Sequence, residues 1–211
     1  MNKRDGILGN EKGFVLVISL LILLILVIVG ITALNTTTIE LQIAGNDKVH
    51  KQTFYAAEAG AELGVEVIEQ NVFCADGFKS TSTVDSVDVA DLEGTIRVFE
   101  RNSNELALYQ NPLPPSNDIC DIEKADIAFP LSNYAAGSQA TYLYVGGETK
   151  MSLGGSLQMA AGYEGKGKSA AGGGVVKMYD IYSQHEGLRN SQSIVQLGWR
   201  YPVGWAGDCN Y

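Results

Sequence analysis

Residues 14–34 read FVLVISLLILLILVIVGITAL, a run without a charge in which only Ser19 and Thr32 carry side-chain hydrogen-bonding groups. As a helix it is about 31 Å long at 1.5 Å per residue, close to the roughly 30 Å hydrocarbon thickness of a bilayer. Lys3, Arg4 and Lys12 precede it, and no basic residue follows until Lys48. That asymmetry places the N-terminus in the cytoplasm and the chain beyond about residue 40 outside it.

Three readings of this segment compete. A secretory signal peptide has a shorter apolar core and a small-residue cleavage site after it, and Thr32-Ala33-Leu34 is a poor one. A plain signal anchor needs nothing more than the composition. The third reading is a short charged leader that ends in Gly and is followed at once by the hydrophobic residue opening the helix. Glu11-Lys12-Gly13 and then Phe14 have that form. A peptidase at the cytoplasmic face would cut between Gly13 and Phe14, beside the charged flank and ahead of the apolar core.

The chain beyond the apolar run separates it from an ordinary anchor. Residues 35–70 contain no proline, and Phe54, Ala57, Ala61, Val65 and Ile68 recur at three- and four-residue steps as one apolar stripe. The sequence predicts one helix from Phe14 to about Gln70, greasy all round in its first half and amphipathic in its second. Gly45 and Asn46 mark a weak point where it is expected to bend or loosen. Glu58, Glu62 and Glu66 form an acidic line that reads as a solvated face, with a basic partner surface as the sharper alternative.

Residues 71–211 are long enough for a modest core. Of the 24 glycines, 15 lie between Gly137 and Gly207. Strands are expected over residues 94–101, 140–145, 175–183 and 191–201. In the last, Val195, Leu197, Trp199 and Tyr201 alternate with Gln196, Gly198 and Arg200, the period of a half-buried strand. The polar stretch 180–192 reads as the connection between the last two. The expected fold class is α+β: a long N-terminal helix, transmembrane and then amphipathic, on an antiparallel sheet.

Charge and cysteines restrict function further. The chain carries a formal net charge of −9, and without residues 1–13 it holds 12 basic and 22 acidic residues, or −10. Such a surface argues against nucleic acid, whose phosphates demand basic groups. Cys74, Cys120 and Cys209 form no CxxC pair and only two histidines exist, so no zinc pattern is present. Outside the cytoplasm, one disulfide with one thiol left over is the natural reading, and three pairings are open.

The run Thr36-Thr37-Thr38-Ile39-Glu40, then Ile43-Ala44-Gly45-Asn46, then Phe54-Tyr55-Ala56-Ala57-Glu58-Ala59-Gly60 resembles the N-terminal region of the PilX family of type IV pilus minor pilins. The resemblance covers roughly residues 8–70. Residues 163–167, 179–181 and 187–199 are similar to tail segments of such proteins, less specifically. The resemblance implies a prepilin leader over residues 1–13, a stem helix over 14–70 and an extracytoplasmic head over 71–211. It implies cleavage after Gly13 by a prepilin peptidase and N-methylation of Phe14. It implies a part in initiating the pilus near its tip, with other major and minor pilins as partners. Major pilins usually carry Glu at the fifth mature position, paired with a neighbour's terminal amine. Ile18 stands there, which suits a subunit with no need of that pair. Two alternatives share parts of this pattern: a type II secretion pseudopilin, and an uncleaved membrane-anchored adhesin or binding module.

Several motifs are weighed and set aside. Residues 162–169, GYEGKGKS, satisfy the P-loop pattern, but the run Ala170-Ala171-Gly172-Gly173-Gly174 directly after it opposes a helix start. Asp85, Asp88, Asp91 and Glu93 cluster, as do Asp118, Asp121, Glu123 and Asp126. Neither follows a calcium-loop spacing, so both read as solvated loop acids. His50 is expected exposed on the stem and far from His185, and no nucleophile constellation emerges. No enzyme, cofactor or metal is expected.

Overall fold

A computed structural model describes residues 11–74, 76–84, 87–100, 106–114, 121–130, 139–152, 174–203 and 208–209. The chain divides into two units, Met1–Lys48 and Val49–Tyr211. One helix, α1 (Glu11–Phe73, 63 residues), contributes to both.

In the first unit every described side chain from 13 to 44 is exposed. The hydroxyls in and after the apolar run are satisfied from within. Ser19 donates to the Leu16 carbonyl at 2.8 Å and Thr32 to that of Val29 at 2.9 Å. Thr36, Thr37 and Thr38 donate to the carbonyls of Thr32, Ala33 and Leu34 at 3.0, 3.0 and 2.9 Å. These groups therefore ask nothing of the solvent, and the polar residues do not spoil an apolar surface. The helix is unbroken through Gly45 and Asn46, against expectation. One glycine costs about 1 kcal/mol relative to alanine, which a long cooperative helix absorbs.

Among the described residues the second unit holds seven antiparallel strands in chain order across one sheet: β1 (Ser82–Val84), β2 (Val87–Leu92), β3 (Ile96–Phe99), β4 (Ile127–Phe129), β5 (Ala140–Met151), β6 (Val175–Glu186) and β7 (Gln192–Pro202). The α+β class expected from sequence is the one observed. The four expected strands are present, and three short ones, β1, β2 and β4, were not foreseen. The polar stretch from Asp180 to Glu186 is strand, not connection, because it pairs residue for residue with Gly146 through Ala140. The true turn spans residues 187–191, with Arg189 and Asn190 in the left-handed region at φ 58° and 57°.

Residues of α1 from Val49 onward lie on one face of this sheet. Val67 and Ile68 pack with Phe78, Val98, Leu108, Ile127, Leu143, Val145, Tyr179 and Ile181 in one core. The opposite face carries a second core of Val89, Phe99, Ala128, Ala140, Tyr142 and Tyr144. Ala57, Ala61 and Ile68 of the expected stripe are fully buried, but Phe54 is 42% exposed and Val65 only half-buried. The contact line runs instead through Thr53, Ala57, Gly60, Ala61, Gly64, Ile68 and Asn71. Glycine sets that line. A Cβ at Gly64 would come within 2.7 Å of Ile181 Cγ2, so the helix backbone approaches β6 as only glycine permits.

Asn71 closes the helix onto the segment after it. It is fully buried, donates from Nδ2 to the Leu106 carbonyl at 2.9 Å and accepts the Tyr109 amide at 3.1 Å. Asn71→Ala leaves both backbone groups unsatisfied in the interior, and a loss of about 2–4 kcal/mol is expected in denaturant unfolding. A loss under half a kilocalorie would mean that water replaces both bonds.

Candidate functional site

The surfaces with functional chemistry lie at three places: the start of α1, the cysteines, and the groove beside His185. Gly13 and Phe14 sit in the opening turns of α1, and the Phe14 side chain is 68% exposed. Ile18 is 41% exposed, one more apolar group on a helix surface that is apolar on every side. Among the described residues α1 is the one helix long and apolar enough to cross a membrane.

Of the three candidate cysteines, Cys74 and Cys209 are joined as a disulfide with their Cα atoms 4.8 Å apart. Cys74 stands one residue past α1, and the bond holds the C-terminal stretch to the end of the helix. Cys120 lies outside the described residues, as does the P-loop-like run 162–169.

The acidic clusters are only partly the solvated loops expected. Asp85 and Asp118 lie outside the described residues. Asp88 accepts a hydrogen bond from Thr83, and Asp91 takes a two-pronged one from Arg97 at 2.6 and 2.8 Å. Asp121 caps a 3-10 turn by accepting the Glu123 amide. Asp126 is the correction. It is buried and accepts from Asn111 Nδ2 at 3.1 Å and from the Val145 amide at 2.8 Å. Its carboxylate thus ties two loops to β5, a role for which an acid one residue before an apolar strand gave no signal. Glu58, Glu62 and Glu66 are exposed, apart from a bond that Glu66 accepts from Gln70 at 3.1 Å.

His50 is exposed on α1. His185, on β6, is half-buried and shares a hydrogen bond of 2.8 Å between Nδ1 and Thr141 Oγ1. It lines a groove of about 520 Å³ together with Ala56, Ala59, Gly60, Leu63 and Phe129. Burial pushes the imidazole below its ordinary pKa, so the fold favours the neutral ring. The unfolded chain then binds the proton more readily than the folded one. This contribution is fully present above the ordinary value near 6.5, falls as pH drops from there, and is gone below the lowered folded value. Thermal unfolding at pH 7.5 and 5 is expected to show a fall in melting temperature that His185→Gln reduces. An identical pH dependence in the variant would remove His185 from the account.

A family model described as PilX N-terminal matches residues 12–62. The N-terminal segment of this chain belongs to the PilX family. The PilX segment begins beside the Gly13–Phe14 junction, takes in the whole apolar run, and ends within the part of α1 that packs on the sheet. The match covers 51 of the 211 residues and relates this segment to type IV pilus proteins. The seven strands beyond it lie outside the match, and no curated protein and no solved structure matches the chain.

Proposed function

We propose that this chain is a minor pilin, made as a precursor with a leader over residues 1–13, that takes part in initiating pilus assembly near the filament tip. The observation that carries this reading is the PilX match starting at residue 12, next to a Gly13–Phe14 junction and an apolar helix exposed on all sides. Before assembly, residues 14–34 span the inner membrane with the N-terminus in the cytoplasm. A prepilin peptidase removes the leader after Gly13, and Phe14 becomes the methylated N-terminus. The apolar stem then exchanges lipid for the stems of other pilins. Packing and not hydrophobicity drives that exchange, because lipid tails are as apolar as the stem. The protein acts as a structural and assembly component, without catalysis and without a cofactor.

The test is the intact N-terminal mass of the membrane-extracted protein from cells with and without the peptidase. A chain beginning at Phe14 and carrying one extra methyl group is expected only where the peptidase is present. A leader retained in peptidase-positive cells would leave an anchored domain and no pilin.

A further inference from the structure

The two edges of the sheet are unlike. At one end β1 has three residues; at the other β7 has eleven, the usual liability of a long exposed edge. Register and hydrogen bonds fix which way its backbone groups point. Tyr201 opposes Lys177, Trp199 opposes Tyr179 and Val195 opposes Ser183. The ladder is flanked by Val203 N–H donating to the Val175 carbonyl at 3.1 Å and Gly187 N–H to the Ser191 carbonyl at 2.8 Å. In an antiparallel pair such bonds fall on every second residue, so the odd residues of β7 face β6. The even ones, Gln192, Ile194, Gln196, Gly198 and Arg200, turn their N–H and C=O groups outward. No described residue bonds to them there. Pro202 belongs to the same even series, where a missing N–H costs no ladder bond.

The side chains are also incomplete. Val195, Leu197 and Trp199 lie on the helix side of the sheet and are each half-buried, with Trp199 stacked 5.8 Å from Tyr201. They form an open rim to the first core. On the other side Ile194 is 44% exposed, and Gly198 leaves a gap whose nearest neighbour is Asp180 Oδ1, 3.9 Å from where a Cβ would stand. Arg200 is the one charge on the strand.

We propose that β7 is a strand-accepting edge: another polypeptide adds an extended antiparallel segment to it, with alternate apolar side chains over Val195, Leu197 and Trp199 and a carboxylate at Arg200. The even row supplies the backbone bonds, the rim supplies apolar cover and the cation fixes orientation. A second copy of β7 could match in register, with Gln196 opposite Gln196 and Ile194 filling the Gly198 gap. That two-fold pairing sets Arg200 opposite Gln192 of the second copy, and since β7 carries no acid the cation would meet no carboxylate there. The donor is therefore a segment of a different chain, and under the pilin reading it belongs to another pilus component.

The test uses the full chain in detergent and, as probe, a fluorescein-labelled peptide of residues 192–201 carrying Gln192→Glu, whose alternation suits the edge and whose carboxylate falls opposite Arg200. Residue-resolved hydrogen exchange of the free chain is expected to be roughly 100-fold or more faster at Ile194, Gln196, Gly198 and Arg200 than at Val195, Leu197 and Trp199. Adding the peptide is expected to slow the even series, and membranes from piliated cells are expected to show the same slowing without it. Gln196→Pro removes an outward N–H and is expected to weaken peptide binding about tenfold or more with the melting temperature unchanged. If the proline variant misfolds, Ile194→Lys with Gln196→Lys blocks the edge by charge and is expected to give the same loss. Slow even amides in the free monomer would mean that the chain covers its own edge. Slow even amides in a dimer would make the occupant a second copy. Binding that survives both variants would place the peptide elsewhere. Each of these overturns the proposal. A chain that begins at Phe14 yet shows any of them sinks this inference and leaves the pilin reading intact.

Discussion

Replacing Cys74 and Cys209 together by serine is expected to lower the melting temperature of the second unit by about 10–20 °C. The bond spans 135 residues, and closing a loop of that size restricts the unfolded chain by about 5 kcal/mol in the chain-entropy view. For a domain of this size each kilocalorie is worth about 2–4 °C. Cys74 is itself buried in the first core, so its serine adds a polar group there and works in the same direction. Scanning calorimetry of the oxidised wild type, the double variant and the wild type under reductant separates the two parts. The reduced wild type is expected to lie close to the double variant. A shift under 3 °C in both would mean that the unfolded chain is already compact enough for the cross-link to matter little.

Gly64→Leu is expected to cost about 3 kcal/mol or more and to part the helix from the sheet. A Cβ there meets Ile181 Cγ2 at 2.7 Å and Leu143 Cδ1 at 3.5 Å, before any of the remaining side chain is placed. Leucine gains about 1 kcal/mol of helix propensity over glycine, while overpacking of a tight core costs about 1–3 kcal/mol. The rest comes from lifting Ala57, Ala61 and Ile68 off β5 and β6, since a rigid helix cannot yield at one position alone. Gly64→Ala is the calibrating variant, because its propensity gain and its smaller clash nearly offset each other. Urea unfolding with tryptophan fluorescence reads both changes, as Trp199 lies with its ring centre 5.7 Å from that of Tyr179 in the same core. A leucine variant as stable as the wild type would mean that the helix shifts along the sheet without loss.

The large features were legible because each has a period or a length that little else imitates. Residues 14–34 announce a membrane-length helix, the absence of proline carries it onward, and the alternation after Ser191 gives β7. Short strands were not legible: β1 and β4 have three residues each, too few for a pattern, and β2 carries Asp88 and Asp91 among its valines. The helix stripe was misplaced at Phe54 because periodicity rewards large apolar residues, whereas the real contact depends on Gly60 and Gly64. Asn71 and Asp126 were invisible for a related reason. Their value lies in backbone groups far away in sequence, Leu106 and Tyr109 for one, Val145 for the other, and only the fold brings those together. Three cysteines allowed three pairings, and the choice of Cys74 with Cys209 likewise waits on topology.

That topology gives the disulfide a meaning beyond stability. Each strand pairs only with the one made just before or just after it, so the sheet can be laid down like a zip from β1 to β7. Cys74 precedes the first strand and Cys209 comes after the last. The two sulfurs meet when the end of α1 is seated on the sheet and the chain after β7 has returned to it, so the bond ties the beginning of this unit to its end. One covalent link thus reports whether the two ends of the unit have come together, and alkylation of Cys209 reads the same thing at the bench.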